Sequence, residues 1–162
     1  MADKRQKPDF EPTVENRKAR RDYIVLETLE TGIVLRGTEI KSVRQAHVAL
    51  GEAFVEVSKR GELWLVNARI DEYFQAGSYF NHSPGSKRKL LAHRHEIAKL
   101  QRAVEQKGMA LVPLKLYFVR GRAKILVGLC KGKKMADKRQ TLIDREHQRD
   151  VDRLSKARGM RI

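Results

Sequence analysis

The chain has 162 residues, 41% of them hydrophobic, with 35 Lys and Arg against 20 Asp and Glu, a formal net charge of +15 and a pI near 10.2. That length and apolar content support one modest core with polar extensions rather than two cores, and the charge favours a polyanionic partner over a neutral one. No run approaches the roughly 18 apolar residues that span a bilayer, the first residues lack the apolar stretch of a secretory signal, and the single Cys130 allows no intramolecular disulfide, so the reading is a cytoplasmic protein with no membrane partner.

In chain order, residues 1–14 are polar, include Pro8 and Pro12 and lack periodicity, which predicts a disordered lead-in. Residues 23–29 and 33–36 read as strands, and Glu30-Thr31-Gly32 between them predicts the turn of a first hairpin. Ile40 and Val43 then fall on one stripe of a short helix, with Thr38 as its N-cap and Lys41 and Arg44 on its flanks. Residues 54–58 and 63–70 predict two strands joined through Lys59-Arg60-Gly61, with Trp64 in the core. Residues 71–87 hold Gly77, Pro84 and Gly85 among scattered aromatics without a period and predict a loop or irregular strand. Leu90 and Leu91 lead into a helical pattern through Ile97, Leu100 and Val104 that stops at Gly108. A last hairpin turns at Arg120-Gly121-Arg122, and Pro113 in its first arm predicts an edge strand. Short strands, two small helices and no βαβ alternation predict a mainly β fold: an OB-like antiparallel β-barrel over residues 15–130 with flanking α-helices, followed by a basic tail over 131–162.

The tail opens with Lys131-Gly-Lys-Lys134 and has too few large apolar residues for a core. Arg145, Arg149, Arg153 and Lys156 recur at steps of four, four and three, which lines one helical face, with Ile143, Val151 and Leu154 on an adjacent face. A lone helix of this length is marginal in water, so the tail is expected to be disordered when free and to fold where phosphate neutralises its cationic stripe. The equal alternative is a solvated helix in which Asp144, Glu146, Asp150 and Asp152 offset the bases.

Other basic clusters, Arg17-Lys-Ala-Arg20-Arg21, Lys87-Arg88-Lys89 and Arg120-Gly-Arg122, sit at strand ends or flanks and supply the long cations that phosphate recognition needs. Aromatics make up 6% of the chain and mostly occupy strands, so a stacking platform for single-stranded bases is not favoured, and recognition of a folded RNA by shape fits better. No catalytic residues, metal or cofactor are expected, because there is no glycine-rich phosphate loop, nucleophile elbow or zinc helix, and His93 and His95 read as an exposed helix start. Glu30, Glu39, His82, His93 and Glu96 leave a metal-free nuclease as the enzymatic alternative.

Ordered blocks then carry a family likeness: Asn16-Arg-Lys-Ala-Arg20 with Tyr23, Gly37-Thr-Glu-Ile-Lys-Ser-Val-Arg44, Asn81-His-Ser-Pro with Arg88-Lys-Leu-Leu91, Leu111-Val-Pro-Leu-Lys-Leu-Tyr-Phe118, and Gly128-Leu-Cys-Lys-Gly-Lys-Lys134 with Asp137-Lys-Arg139. From about Asn16 through Arg139 the chain closely resembles the SsrA-binding proteins, the small protein B family. The resemblance implies a non-catalytic adaptor. It would bind the tRNA-like domain of transfer-messenger RNA (tmRNA) and deliver it, alanylated and with elongation factor Tu, to stalled ribosomes for trans-translation. The alternative is a ribosomal or general structured-RNA-binding barrel. Position by position, the family's RNA-binding acid, leucine and lysine match Glu30, Leu91 and Lys124, and further RNA contacts are expected at Asn16, Arg17, Arg20, Lys41, Arg44, Arg88 and Lys89. Gly132 is implied as a flexible joint. Lys133, Lys134, Asp137, Lys138, Arg139, Arg145, Arg149, Arg153 and Leu154 are implied to engage the small-subunit decoding region and the empty message channel, where the tail becomes helical. Ala136 stands where family members often carry Tyr or His, which removes a ring from that point. A monomer is expected.

Overall fold

The computed structural model describes residues 11–106 and 108–159, so most of the expected lead-in, residues 1–10, lies outside the described residues. The elements are β1 (Val14–Glu15), α1 (Arg17–Asp22), β2 (Tyr23–Ile33), α2 (Gly37–Arg44), β3 (Val48–Ala49), β4 (Phe54–Val57), β5 (Leu63–Val66), β6 (Arg69–Ile70), a 3-10 turn (Phe74–Ala76), α3 (Gly77–Phe80), β7 (Arg88–Leu91), α4 (Arg94–Val104), β8 (Met109–Val119), β9 (Arg122–Gly132) and α5 (Met135–Gly159). One antiparallel sheet runs β1-β8-β4-β5-β7-β2-β9, with a further pairing of β8 to β9, and β3 and β6 form a separate ribbon. The architecture is therefore mainly β sheet with small helices, before the longer helix of the tail.

Alternation builds the core. Leu63 and Leu65 on β5 point inward with Leu90 of β7, Leu116 of β8, and Ile125 and Val127 of β9, all essentially inaccessible to water. Each such side chain contributes roughly 1.5–3 kcal/mol on burial. Val43 of α2 and Ile97 and Leu100 of α4 close this cluster. A second cluster of Ala19, Val112, Leu114 and Cys130 seats α1 on β8 and β9.

Several local expectations are revised. The first hairpin does not exist: β2 runs unbroken through Glu30-Thr31-Gly32 and pairs with β9 along its length, with a bulge between Val25 and Glu27. Gly32 serves close approach rather than a turn, since a Cβ there would lie 3.4 Å from Leu91 Cβ of the neighbouring strand. Trp64 is only half-buried, because the pleat that turns Leu63 and Leu65 inward faces it outward, between Glu56 and Lys89. Pro113 is buried in a strand paired to β9, and it sits at a bulge where the register to β9 shifts, so its missing N–H breaks no regular ladder. The helix over Ile40 and Val43 forms, but Arg36 caps it, and Glu39 Oε2 accepts the Arg36 N–H at 2.7 Å. The last hairpin is as expected, with Arg120 (φ 50°) and Gly121 (φ 74°) both left-handed, the geometry that matches the twist of the joined strands.

Candidate nucleic-acid interface

Strand register assembles one site from distant parts of the chain. Gly32 of β2 lies opposite Leu91 of β7 on one side and Lys124 of β9 on the other, and Lys124 lies opposite Tyr117 of β8. Paired residues share a face, so Leu91, Gly32, Lys124 and Tyr117 form a row across four strands, and Glu30, two residues before Gly32, joins the same face. The absent side chain of Gly32 leaves a trough between Leu91 and Lys124. A groove of about 420 Å³ results, lined by Glu30, Leu91, His93, Glu96 and Lys124, and a hollow of similar size continues past Gly32, Leu91 and Lys124 to Ile40 and Arg122. Leu91 is 52% exposed, an unusual setting for a leucine, and forms an apolar wall.

The polar groups are held in place. Tyr117 donates its hydroxyl hydrogen bond to Glu30, and Lys124 Nζ stands 3.7 Å from Glu30 Oε1. Lys115 Nζ lies over the Tyr117 ring, 4.7 Å from its centroid. The Glu30 carboxylate is thus anchored from two sides, and the partly exposed Lys124 ammonium keeps donors for an incoming phosphate. Burial, reinforced by Glu30, pushes the Tyr117 phenol up to about 12. The neutral phenol is the form the fold favours, so its stabilising contribution is complete below pH 10, the ordinary tyrosine value, and is lost as pH rises through about 12. A difference-absorbance titration of wild type and Tyr117→Phe is expected to assign the last-ionising phenol to Tyr117. Ionisation of that residue near pH 10 would contradict the anchored geometry.

Two of the residues expected to touch RNA are structural instead. Asn16 is buried: its Nδ2 donates to Leu50 O and Pro113 O, both at 2.9 Å, and its Oδ1 accepts the Ala19 N–H at 3.0 Å, capping α1. Arg88 is buried against Glu39, with Nε to Oε1 at 2.9 Å and side-chain exposures of 2% and 4%. Its other nitrogens reach the carbonyls of Ala68, Ser83 and Pro84 at 2.6, 3.3 and 3.0 Å. Neither has a donor to offer a phosphate from solvent. Glu39 and His82, candidates for acid–base chemistry, are buried and engaged in the same way.

The remaining expected residues do not gather on the groove. Lys41 and Arg44 are exposed on α2. Lys89 is paired with Glu62 at 2.6 Å, and its hydrogen bond draws the Glu62 carboxyl below its ordinary value. Arg17 and Arg20 are exposed on α1, with Arg20 3.6 Å from Glu15. The root of the tail packs beside that helix: Gly132 pairs with Tyr23, and Lys133 Nζ donates to Arg20 O and Thr141 Oγ1, both at 3.2 Å. Lys138 lies 3.9 Å from Asp22, whose carboxyl is held below its ordinary value first by its hydrogen bond from Arg21 and further by the charge of Lys138. Lys134 precedes α5, Asp137 and Arg139 are exposed in its first turns, and Arg145, Arg149, Arg153 and Leu154 are exposed farther along. Nine residue steps of β2 separate this root from Gly32, roughly 30 Å of strand.

Sequence reasoning missed Gly32 and Tyr117. Tyr117 was within reach, since residues 117 and 124 are equidistant from the turn at Arg120-Gly121 and the hairpin register sets them opposite each other. It also missed Phe74, Tyr79 and Phe80, which lie off the strands and are 97%, 90% and 77% exposed. Among the described residues, no group of three or more His, Cys, Asp or Glu is placed to hold a metal, and no helix is long and apolar enough to cross a membrane.

A mainly β body with a half-apolar, half-ionic groove at one end and a basic helix rooted at the other defines a class: a small cationic protein with two separate surfaces suited to polyanions. The model of the SmpB protein family matches residues 13–157. The SsrA-binding protein of Bradyrhizobium diazoefficiens is 51% identical over 160 residues, covering 98% of this chain and all of the relative, and that of Chelativorans sp. is 52% identical over 146 residues, covering 90% and 93%. A solved chain described under "tmRNA-SmpB: a journey to the center of the bacterial ribosome" is 53% identical, with a TM-score of 0.65 over 76% of this chain and 86% of that one. The chain belongs to the SmpB family of SsrA-binding proteins.

Proposed function

We propose that the protein is a non-catalytic adaptor of the cytoplasm that binds the tRNA-like domain of tmRNA and carries it, alanylated and with elongation factor Tu, to stalled ribosomes. Family membership supports the reading, as do relatives named for SsrA binding and a solved likeness described with tmRNA and the bacterial ribosome. The observation that carries it is the groove, where Glu30, Leu91 and Lys124, the three positions matched individually to the family's RNA-binding residues, come together across three strands. The exposed Leu91 supplies an apolar surface against a ribose or base, the anchored Glu30 accepts hydrogen bonds from base amino groups or a 2′-hydroxyl, and Lys124 neutralises a phosphate.

The body is an OB-like barrel in this reading. Its support is that the pairings β8-β4-β5-β7-β2-β9 return to β8, so both edges of the sheet meet. The tail is a separate unit over 131–162, loose when free and helical in the message channel. Support comes from α5 itself, whose described side chains share no core with the sheet beyond links in its first turns, leaving a helix that is marginal by its own propensity.

The test is competition at fixed, near-physiological salt, because non-specific affinity otherwise dominates. Wild type is expected to prefer tmRNA over an unrelated structured RNA, and equal binding refutes the reading. Lys124→Ala is expected to weaken tmRNA binding and to lower the slope of log affinity against log salt by about one phosphate contact. An unchanged slope removes Lys124 from the interface.

A further inference from the structure

The segment 71–87 combines a base fastened by buried polar groups with a tip of bare aromatic rings. Asn81 Nδ2 donates to Tyr73 O at 2.8 Å while the Tyr73 N–H donates to Asn81 Oδ1 at 2.9 Å, which cinches residues 73–81 into a closed loop. The buried His82 holds its end: Nε2 donates to Ile70 O at 3.0 Å, which leaves Nδ1 to accept the Thr38 hydroxyl at 2.9 Å. Arg88 fixes the carbonyls of Ser83 and Pro84 just beyond. Burying a histidine and an ion pair is costly unless every partner is in place, so the bonds of His82 to Thr38 and Ile70 and of Arg88 to Ser83 and Pro84 hold the end of the loop to α2, β6 and β7. The loop therefore presents Phe74, Tyr79 and Phe80 to solvent on a fixed base. The rings of Tyr79 and Phe80 stand 5.1 Å apart at 85°, edge to face, so an open face remains available.

Two elements link this platform to the groove. α2 joins the two: Ile40 lines the hollow beyond Leu91 and Lys124, and the next residue, Lys41, places its ammonium 5.1 Å from the centroid of the Tyr73 ring at the foot of the loop. β7 joins them a second time, running from the end of the loop to Leu91. From these features we infer that Phe74, Tyr79 and Phe80 form a stacking site for unpaired bases of the tmRNA held in the groove, with Lys41 meeting the adjoining phosphate. The inference rests on the tmRNA reading above and adds to it a base-stacking contact. A net charge of +15 favours a polyanion as the occupant, and exposed ring faces suit the π-faces of unpaired bases.

The test is a triple variant, Phe74→Ser, Tyr79→Ser and Phe80→Ser, assayed for tmRNA affinity across a salt series with the full chain. Affinity is expected to fall about 10- to 100-fold with the salt slope unchanged, because rings are lost and no phosphate contact is. Lys124→Ala shows the opposite signature, a lower slope. The variant's thermal midpoint is expected to match wild type, since the replaced rings are exposed, and Tyr79→Phe, which keeps the ring, is expected to retain wild-type affinity. Chemical probing is expected to show an unpaired tmRNA nucleotide protected by wild type and by Lys124→Ala and open with the triple variant. Wild-type preference for tmRNA together with undiminished affinity of the triple variant overturns the stacking site alone. Loss of binding to a protein component with tmRNA affinity intact overturns it as well. Equal wild-type binding to tmRNA and an unrelated RNA refutes the underlying reading instead.

Discussion

Truncation after Lys134 is expected to reduce peptide tagging on stalled ribosomes to background while tmRNA affinity at fixed salt changes by no more than about threefold. The two activities separate because the structure separates them. The groove depends on β2, β7, β8 and β9, whereas among the described residues α5 sits mainly against α1, with Lys133 just before it bridging Arg20 and Thr141 and Lys138 standing beside Asp22. The charge removed is also small: residues 135–162 carry eight Lys and Arg against five Asp and Glu, so the body keeps most of its attractive field for RNA. Tagging in a reconstituted translation system stalled on a message without a stop codon, run beside a gel shift, reads both quantities. Collapse of tmRNA affinity on truncation would show the tail to be part of the groove's binding surface, and persistent tagging would show that it is dispensable on the ribosome. Either result defeats the division of labour.

Arg88→Met is expected to cost about 3–5 kcal/mol of folding stability. The guanidinium is almost wholly enclosed, and its removal leaves the Glu39 carboxylate buried without its counter-charge and takes one donor from each of the carbonyls of Ala68, Ser83 and Pro84. Glu39→Gln is also expected to destabilise, since its amide oxygen still accepts from Arg88 while its NH2 group then faces the Arg36 N–H and the buried cation lacks a counter-charge. The double variant is expected to be more stable than the sum of the two losses, as for residues that share one network. Urea unfolding of the four proteins measures this cycle. A loss below about 1 kcal/mol for Arg88→Met would show that water reaches the site and that the pair is a surface ornament.

Part of the order of strands and helices was readable, because the apolar run in 63–66, the helical period through Ile97 and Leu100, and the Arg120-Gly121 turn are local signals, whereas α1 and α3 were not read. What escaped was decided by neighbours distant in sequence. Gly32 reads as a turn residue until Leu91, nearly sixty residues later, is packed over it. Arg88 sits in a basic cluster between Lys87 and Lys89, and only the pleat, which turns alternate residues to opposite faces, sends it inward to Glu39 while Lys89 stays outside. Asn16 likewise heads a basic block whose cations face solvent while it spends its own amide on α1 and β8. Of the candidate site, Glu30, Leu91 and Lys124 were suggested by family likeness, whereas their meeting point is a fact of register. The exposed rings of 74–80 escaped because aromatic content was judged as a fraction of the chain, and a small fraction concentrated on one loop is a local surface.

The paired strands β2 and β9 make the body a calliper. One jaw is the trough at Gly32 and the other is the joint at Gly132, and a hydrogen-bonded ladder neither stretches nor compresses, so the gap between them is counted in residues and not set by the stiffness of a linker. Whatever grips the first jaw therefore dictates where the second begins, and lengthening the ladder by two residue pairs, which keeps the pleat in phase, would shift the tail's starting point by about 7 Å without altering either grip.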